Sequence, residues 1–375
     1  MGVLGSYGGL NLGDEAILTC LLKNLRGIRP TAEIVVFSRN PQHTEAHFDT
    51  AAVAWSDVAQ EEILKAETGL DILALGSAGI LHDGQARWFL RPVRMAHKLG
   101  IRTFGYAMGA GPLTDLEESR HVQEVIQDIT DLTVRDQESK LVLERVGVTR
   151  HIPVTADPAV LLEPEEFTPD MLIREGIDPN CRLVGMSVRE PGRAADNLDV
   201  NSYHGLLAEV ADFITRRLEA EVVFVPMERK DISHAHAVLS ATSDPEAGRV
   251  LNGNYRPAQI AGLMHHLDFA VGMRLHFVIF AACAGVPVLP LPYAGKVFDF
   301  AQRVGAPALT GVARSEAGPL LAELDRLWDE RAENTQQLRQ RILVLRERAR
   351  ETCKRFRALV EKIDAEVPTR HLTFH

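Results

Sequence analysis

An arginine and a histidine lie close together in the segment Gly272–His276, which reads GMRLH. The segment follows the apolar run Phe269–Val271, which is typical of a buried strand, and precedes an apolar stretch typical of a helix. Ligands of open parallel sheets bind beyond the carboxyl ends of the strands, and the amides at a helix start attract anions. Arg274 could therefore hold a small anion while His276 moves a proton near neutral pH. A structural histidine, and an arginine tied to a carboxylate, are the alternatives.

Two more cationic side chains follow predicted strands. Lys296 comes after the next apolar run, so we expect it at the same sheet edge as the histidine. Arg135 follows a strand of the first half of the chain and would face the ligand from the opposite side. An exposed loop lysine is the alternative for Lys296, and a salt bridge with Asp136 or Asp157 is the alternative for Arg135. The weaker candidates are Arg189, Glu228 and Asn11.

The chain opens with a glycine-rich turn, Gly5–Leu18, between a short apolar run and a helical pattern. Glycines let the backbone approach a ligand, and the free amides of the helix start offer an anion site. The turn lacks the GxGxxG dinucleotide fingerprint and the GK[ST] ending of a phosphate-binding P-loop. Asp14 and Glu15 at the helix start would repel a phosphate, so they suit sugar hydroxyls better. A purely structural glycine turn is the alternative.

Short apolar runs alternate with helical patterns along the chain, which is the signature of βαβ units and parallel sheets. The predicted strands of the first half are Val3–Leu4, Glu33–Phe37, Ala52–Trp55, Ile72–Leu75, Arg102–Tyr106 and Leu132–Val134. Those of the second half are Leu183–Val188, Val222–Pro226, Arg249–Leu251, Phe269–Val271 and Val286–Leu289. The predicted helices include Glu15–Leu25, Arg87–Leu99, Tyr203–Leu218 and Phe277–Ala284.

A change of composition divides this α/β series in two. The segment Pro153–Pro179 is acidic and contains several prolines, as expected for a crossover or linker. We expect an N-terminal Rossmann-like domain over residues 1–160, a C-terminal Rossmann-like domain over 161–330, and a helical extension over 331–375. The two parallel sheets would face each other across a cleft.

Composition excludes several classes of function. The 375 residues carry a net charge of −10 without a basic block, so nucleic acid is not expected as a partner. No run approaches the roughly 20 apolar residues of a membrane span, and no basic-then-apolar leader is visible. The four cysteines are far apart and form no CxxC pair, which favours reduced thiols and argues against zinc. These features predict a soluble cytoplasmic protein without a metal.

The opening sequence Gly8–Leu18 resembles the opening motif of the polysaccharide pyruvyl transferase family. Later segments resemble the family in the same order: Gly76–Gly79, Val134–Asp136 with Ser139, Thr155–Pro158, Gly185–Arg189, Val225–Met227 and Gly272–His276. Several motifs in order across nearly the whole chain are more specific than any one of them. One departure is that Ser77 and Ala78 stand where the family has a run of glycines, so the acceptor contacts are expected to differ there.

The resemblance implies a glycosyltransferase-B-like pair of Rossmann-type domains, with the acceptor on the N-terminal side and the donor on the C-terminal side. It implies transfer of pyruvate from phosphoenolpyruvate to a sugar diol, with a cyclic ketal and phosphate as products. His276 would be the general acid/base, Lys296 would hold the donor, and Arg135 would clamp the donor as the domains close. The expected substrate-binding residues are Arg274, Asn11, Gly13, Asp14, Arg189 and Glu228. No cofactor or metal is implied, because phosphoenolpyruvate is a co-substrate.

The expected acceptor is a sugar of a cell-wall polysaccharide or its precursor, either free or lipid-linked. A lipid-linked acceptor would bring the protein to the inner membrane surface. One alternative function is a nucleotide-sugar glycosyltransferase of the same fold. Such enzymes usually place a glutamate shortly after the strand that resembles Gly285–Leu289, where this chain has the cationic turn Tyr293–Lys296 instead. The other is a non-catalytic binding protein that has kept the fold. The sequence leaves the oligomeric state open.

Overall fold

The computed structural model describes residues 1–55, 69–76, 79–190, 199–291, 295–307 and 317–366. Over these residues the chain forms two compact units. Unit 1 comprises Met1–Gly9, Ile17–Pro158 and Glu347–His375, and unit 2 comprises Leu10–Ala16 and Ala159–Arg346. The chain passes into unit 2 close to the predicted boundary at residue 160. The segment Leu10–Ala16 belongs to unit 2, whereas the sequence predicts it in the first domain.

Unit 1 is built on a six-stranded parallel sheet. Its strands are β1 (Gly2–Leu4), β2 (Val35–Ser38), β3 (Ala51–Ala54), β4 (Ile72–Gly76), β5 (Arg102–Met108) and β6 (Asp131–Val134). The strands lie in the order β3-β2-β1-β4-β5-β6, which is the order of a doubly wound Rossmann sheet. β4 is buried at every position, as expected for a strand covered on both faces.

Within the part of unit 1 that the structure describes, five helices follow the strands of this sheet in sequence. They are α1 (Leu12–Ile28), α2 (Pro41–Phe48), α3 (Ala86–Lys98), α4 (Leu116–Asp128) and α5 (Gln137–Arg145). Side-chain oxygens cap the N-termini of several of these helices. Asp115 accepts from the Glu118 amide at 2.9 Å, and Asp136 accepts from the Ser139 amide at 2.7 Å. These N-caps satisfy amides that have no partner within the helix.

Unit 2 is built on a second parallel sheet, of five strands. The strands are β7 (Leu183–Ser187), β8 (Glu221–Phe224), β9 (Gly248–Val250), β10 (Phe269–Gly272) and β11 (Val288–Pro290). They lie in the order β11-β10-β7-β8-β9, so the winding direction reverses between β7 and β10. Ligands of such sheets bind at the carboxyl ends of the strands that flank this switch point. All the predicted strands of both halves overlap observed strands, and the predicted two-sheet α/β fold is confirmed.

The remaining helices complete the described chain. They are α6 (Pro169–Arg174), α7 (Val200–Arg217), α8 (Arg229–Ala241), α9 (Pro257–Leu263), α10 (Leu275–Ala284), α11 (Gly295–Val304), α12 (Ala317–Asp329) and α13 (Arg331–Glu366), with short 3-10 helices at Pro158–Leu161, Pro245–Ala247 and Met264–His266. Among the described residues, no helix is long and apolar enough to cross a membrane.

The last part of α13 belongs to the core of unit 1. Phe356 is fully buried, with its ring centroid 5.0 Å from that of Phe104 and 6.1 Å from that of Tyr106. The hydroxyl of Thr352 lies 3.0 Å from that of Thr133, so polar as well as apolar contacts join the helix to the sheet. The part of α13 from Glu347 onward therefore belongs to unit 1, whereas the sequence predicts a helical extension over 331–375 that follows the second domain.

Replacing Phe356 with alanine should lower the free energy of unfolding by about 3–5 kcal/mol, because the cavity cannot collapse between two buried rings. Urea denaturation followed by circular dichroism measures this loss. Leu343→Ala is the control, because Leu343 is 60% exposed on the same helix and should change stability by less than about 0.5 kcal/mol. Equal, small losses in both variants would contradict the assignment of α13 to the core of unit 1.

Candidate functional site

Charged side chains gather at the carboxyl ends of the unit 2 strands. Glu190 follows β7, Glu228 follows β8, and Arg274 and His276 follow β10. β7 and β10 are the neighbouring strands between which the winding reverses. The sequence placed the arginine and histidine at a strand end, and the structure shows that this end is at the topological switch point.

The guanidinium of Arg274 sits among three carboxylates. Its Nε donates to the two oxygens of Asp231 at 3.0 and 3.2 Å, and its Nη2 donates to Glu190 at 3.1 Å and also contacts Glu228. Burial by itself would lower the pKa of Arg274, but the carboxylates raise it above its ordinary value, so the side chain stays charged. The structure therefore supports the alternative in which Arg274 is tied to carboxylates.

Asp231 connects this cluster to the start of α8. It is fully buried, and its Oδ2 accepts from the amides of Met227 at 3.1 Å and Glu228 at 3.2 Å. Burial raises the pKa of Asp231, while Arg274 opposes this shift. Ligand oxygens of Glu190, Glu228 and Asp231 lie within 4.8 Å of one another, a spacing that a metal could use, but the guanidinium already lies among them.

The opening glycine-rich segment is tied to the same cluster. Nδ2 of Asn11 donates to Oε2 of Glu228 at 3.1 Å, and the Leu12 amide donates to the Met227 carbonyl at 2.9 Å. Oδ1 of Asn11 accepts from the amides of Gly13 at 3.0 Å and Asp14 at 3.3 Å, which caps the start of α1. These bonds tie the start of α1 to Glu228 of the Arg274 cluster and to the neighbouring Met227.

His276 lies in the first turn of α10 and packs directly against the backbone of Gly13. A Cβ added at Gly13 would lie 1.9 Å from Nδ1 of His276, so no larger residue fits beside the ring. The imidazole is half-buried and stands where the free amides of a helix start favour anions. The expected contact of Gly13 with a substrate stays a prediction, and the structure shows that the absence of a side chain at Gly13 leaves the space that the His276 ring occupies.

A buried hydroxyl lies on the same side of the second sheet. Ser187 ends β7 and is 1% exposed, and its Oγ finds no hydrogen-bond partner among the described residues. Alternate residues of a strand share a face, so Ser187 lies on the face of Gly185, which packs against Phe277 of α10. Ser187 therefore offers a hydroxyl on the sheet face that α10 covers.

The other predicted residues have different surroundings. Arg189 pairs with Glu190, whose pKa is lowered by Arg189 and Arg274 against the opposing effect of burial. Lys296 is half-buried in the first turn of α11.

Arg135, in unit 1, is 4% exposed and donates to Asp136 at 3.0 Å and Asp157 at 3.1 Å, as in its salt-bridge alternative. Ser77 and Ala78 lie outside the described residues. The roles of these residues in substrate binding stay predictions.

Sequence reasoning missed Glu190, Asp231 and Ser187. A local signal existed for Asp231, since an acidic pair spaced like Glu228 and Asp231 before an apolar pattern is typical of a helix start. Glu190 directly follows Arg189 at a strand end, which is a weaker signal. Nothing local indicates that a hydroxyl at position 187 has no partner, because that depends on the packing of α10.

Several solved structures share this fold. A Listeria monocytogenes protein provisionally assigned as a UDP-N-acetylglucosamine 2-epimerase matches 98% of this chain and 97% of its own, with a TM-score of 0.67 and 14% identity. A sucrose-phosphate synthase from Thermosynechococcus elongatus matches over 98% and 99%, with a TM-score of 0.63 and 11% identity. A Rickettsia africae glycosyltransferase matches over 98% of each chain, with a TM-score of 0.63 and 9% identity. Such low identities show the fold alone, a glycosyltransferase-B-like one. No curated protein sequence gives a significant match.

The family is shown by the sequence itself. The model of the family described as polysaccharide pyruvyl transferase matches residues 11–295, which is most of the chain. The matched region begins at Asn11 and includes Glu228, Arg274 and His276, while Lys296 lies just beyond it. The chain therefore belongs to the polysaccharide pyruvyl transferase family, as its motifs indicate. It is a transferase of polysaccharide modification.

Replacing Gly13 with alanine should displace the His276 ring, because the added methyl group would overlap Nδ1. The ring signal of His276 in a proton–nitrogen NMR spectrum reports this displacement. Gly27→Ala, on the same helix, is the control: its Cβ would meet nothing within 4 Å, and the change should stabilise the helix by about 0.5–1 kcal/mol. An unmoved His276 signal in the Gly13→Ala protein would contradict this packing.

Replacing Arg274 with methionine should lower the free energy of unfolding by about 3–5 kcal/mol, because buried carboxylates lose their counter-charge. The double variant Arg274→Met/Asp231→Leu should recover part of this loss. The deficit of the single variant should shrink between about pH 7 and pH 5, since an unpaired buried carboxylate has a raised pKa and takes up a proton on acidification.

Thermal and urea unfolding at several pH values measure these effects. Arg326→Met is the control, because Arg326 pairs with glutamates on an exposed part of α12 and should contribute less than about 1 kcal/mol. A loss for Arg274→Met as small as that of the control would mean that the cluster does not hold the site together.

Proposed function

We propose that this protein transfers the pyruvyl group of phosphoenolpyruvate to two hydroxyls of a sugar, in a polysaccharide or its precursor. The family match over residues 11–295 is the observation that carries the proposal, because it contains the whole cluster from Asn11 to His276. The arrangement at the β7–β10 switch point supports it, since that is where a parallel sheet binds its ligand.

His276 is the proton-transfer group in this proposal. Its imidazole donates a proton to the methylene carbon of phosphoenolpyruvate, which becomes a methyl group. One sugar hydroxyl then forms a bond to the central carbon, and a second hydroxyl forms another as the bond from that carbon to the phosphate oxygen breaks. Of the two hydroxyl protons, one returns to His276 and one leaves with phosphate, so the reaction balances. An imidazole suits both directions of transfer near neutral pH.

The charges of the donor need groups that favour anions. The first turn of α10 provides free amides, and Ser187 adds a hydroxyl on the sheet face covered by that helix. Lys296, in the first turn of α11, is proposed to hold the phosphate or the carboxylate. Arg274 acts indirectly, because its bonds to carboxylates hold the cluster that positions Asn11 and, through Gly13, the histidine.

The sugar is proposed to contact acceptor groups rather than cations. Glu228 is partly exposed and already accepts from Asn11, so it is suited to accept from a sugar hydroxyl as well. Asp14 lies in the capped start of α1, where its amide donates to Asn11. Carboxylates hydrogen-bond hydroxyls strongly, whereas they repel a phosphate. This division assigns α1 to the acceptor and the first turn of α10 to the donor.

Phosphoenolpyruvate should bind the purified protein without any acceptor, and raise its melting temperature, whereas a nucleotide-sugar such as UDP-glucose should not. With a panel of p-nitrophenyl glycosides as acceptors, phosphoenolpyruvate should release phosphate and add the mass of a pyruvate ketal. His276→Gln should lower this turnover by at least about a hundredfold, as for loss of a general acid–base group.

His265→Gln is the matched control, because His265 is an exposed histidine and its replacement should leave turnover unchanged. Undiminished turnover in the His276→Gln protein would remove the proposed role of this residue. Binding and turnover of nucleotide-sugars, without binding of phosphoenolpyruvate, would instead show a glycosyltransferase.

A further inference from the structure

A cavity of about 470 Å³ opens between α3 and α4 in unit 1. Its volume is in the range of small-molecule sites. It is formed wholly by residues of unit 1, so it is separate from the cluster around Arg274. The lining residues are Gly84, Arg87, Trp88, Arg91, Arg94, Glu118 and His121.

Three arginines of α3 line this cavity. Arg87, Arg91 and Arg94 are spaced by four and three positions, so they lie on one face of the helix. Arg87 pairs with Glu117 at 3.3 Å, but Arg91 and Arg94 have no ion pair with any described residue. Guanidinium groups bind phosphate through paired hydrogen bonds.

A buried imidazole also lines the cavity. His121 is 8% exposed, and its Nε2 has no hydrogen-bond partner among the described residues. Burial lowers the pKa of His121, and the positive charges of Arg94 and Arg87 lower it further, so the ring is neutral at pH 7. Native proteins rarely leave a buried polar atom without a partner, and a neutral imidazole can donate to a ligand oxygen.

The indole of Trp88 gives the cavity an apolar wall. Its ring is held in place by Trp55, with the two ring centroids 4.5 Å apart, and the guanidinium of Arg39 lies 5.4 Å from its centroid. The one acidic lining residue, Glu118, is engaged elsewhere, since it accepts from the Arg87 amide at 2.9 Å. The cavity thus combines cations, a donor and an aromatic surface.

We propose that this cavity is a second binding site, for a phosphate or diphosphate group joined to an organic part. Arg91 and Arg94 bind the phosphate oxygens, with Arg87 beside them. His121 donates from Nε2, and the organic part packs on Trp88. The ligand is the phosphate or diphosphate headgroup of a lipid or a soluble phosphate ester, which share this chemistry. Binding at this site does not depend on the proposed pyruvyl transfer reaction.

Isothermal titration with inorganic pyrophosphate tests the site on the full chain. Wild-type protein should bind pyrophosphate, and the double variant Arg91→Gln/Arg94→Gln should bind it at least about tenfold more weakly, because two charged hydrogen-bonding groups are lost. Both arginines are exposed, so the variant should fold normally. The double variant Arg348→Gln/Arg357→Gln replaces two exposed arginines of α13, makes the same change of charge, and should bind pyrophosphate like wild type.

Tryptophan fluorescence locates the binding, because the start of α10 in unit 2 is also expected to attract anions. Pyrophosphate should change the emission of the wild-type protein, and Trp88→Phe should remove that change while titration still detects binding. His121→Leu should weaken the binding without unfolding the protein. Unaltered affinity in the Arg91→Gln/Arg94→Gln variant would overturn the proposal.

Vesicle sedimentation separates the two sources of the phosphate group. Binding to phosphatidylcholine vesicles that contain phosphatidic acid, lost in the Arg91→Gln/Arg94→Gln variant, would support the site and identify a lipid headgroup. Binding of pyrophosphate without sedimentation would support it and identify a soluble ligand. Failure to bind either probe would contradict the proposal.

Discussion

One buried guanidinium, surrounded by three carboxylates, holds the carboxyl end of the second sheet together. Arg274 follows β10, Glu190 follows β7, and Glu228 and Asp231 begin α8, so the cluster joins three chain segments that are far apart in sequence. A buried charge that loses its partner is strongly destabilising, and each member therefore requires the others. The cluster therefore holds these three segments, and the residues bonded to them, in a fixed arrangement.

The opening glycine-rich segment is hydrogen-bonded to this cluster. Asn11 bonds Glu228 and caps α1, and Gly13 then lies against the ring of His276. The motif that marks the family is thus explained by position as much as by substrate contact. Asparagine is needed because it donates to a carboxylate and accepts from amides at once, and glycine is needed because the imidazole leaves no room for a Cβ.

The fold was largely predictable from the sequence, because buried parallel strands read as continuous apolar runs. The site was predictable only in part. His276 and Asn11 stand in local motifs, but the partners of Arg274 depend on contacts between segments dozens of positions apart, such as Arg274 with Glu190. The amphipathic pattern of α13 indicates that the helix has a buried face without indicating which unit covers that face.

The central claim is that the Arg274 cluster acts on catalysis by positioning His276 through Asn11 and Gly13. A double-mutant cycle of kcat/KM for pyruvyl transfer, with Asn11→Ala and His276→Gln, tests it most directly. If Asn11 works through the histidine, the double variant should be no slower than His276→Gln alone. Losses that simply add in the double variant would contradict the claim, because Asn11 and His276 would then act independently.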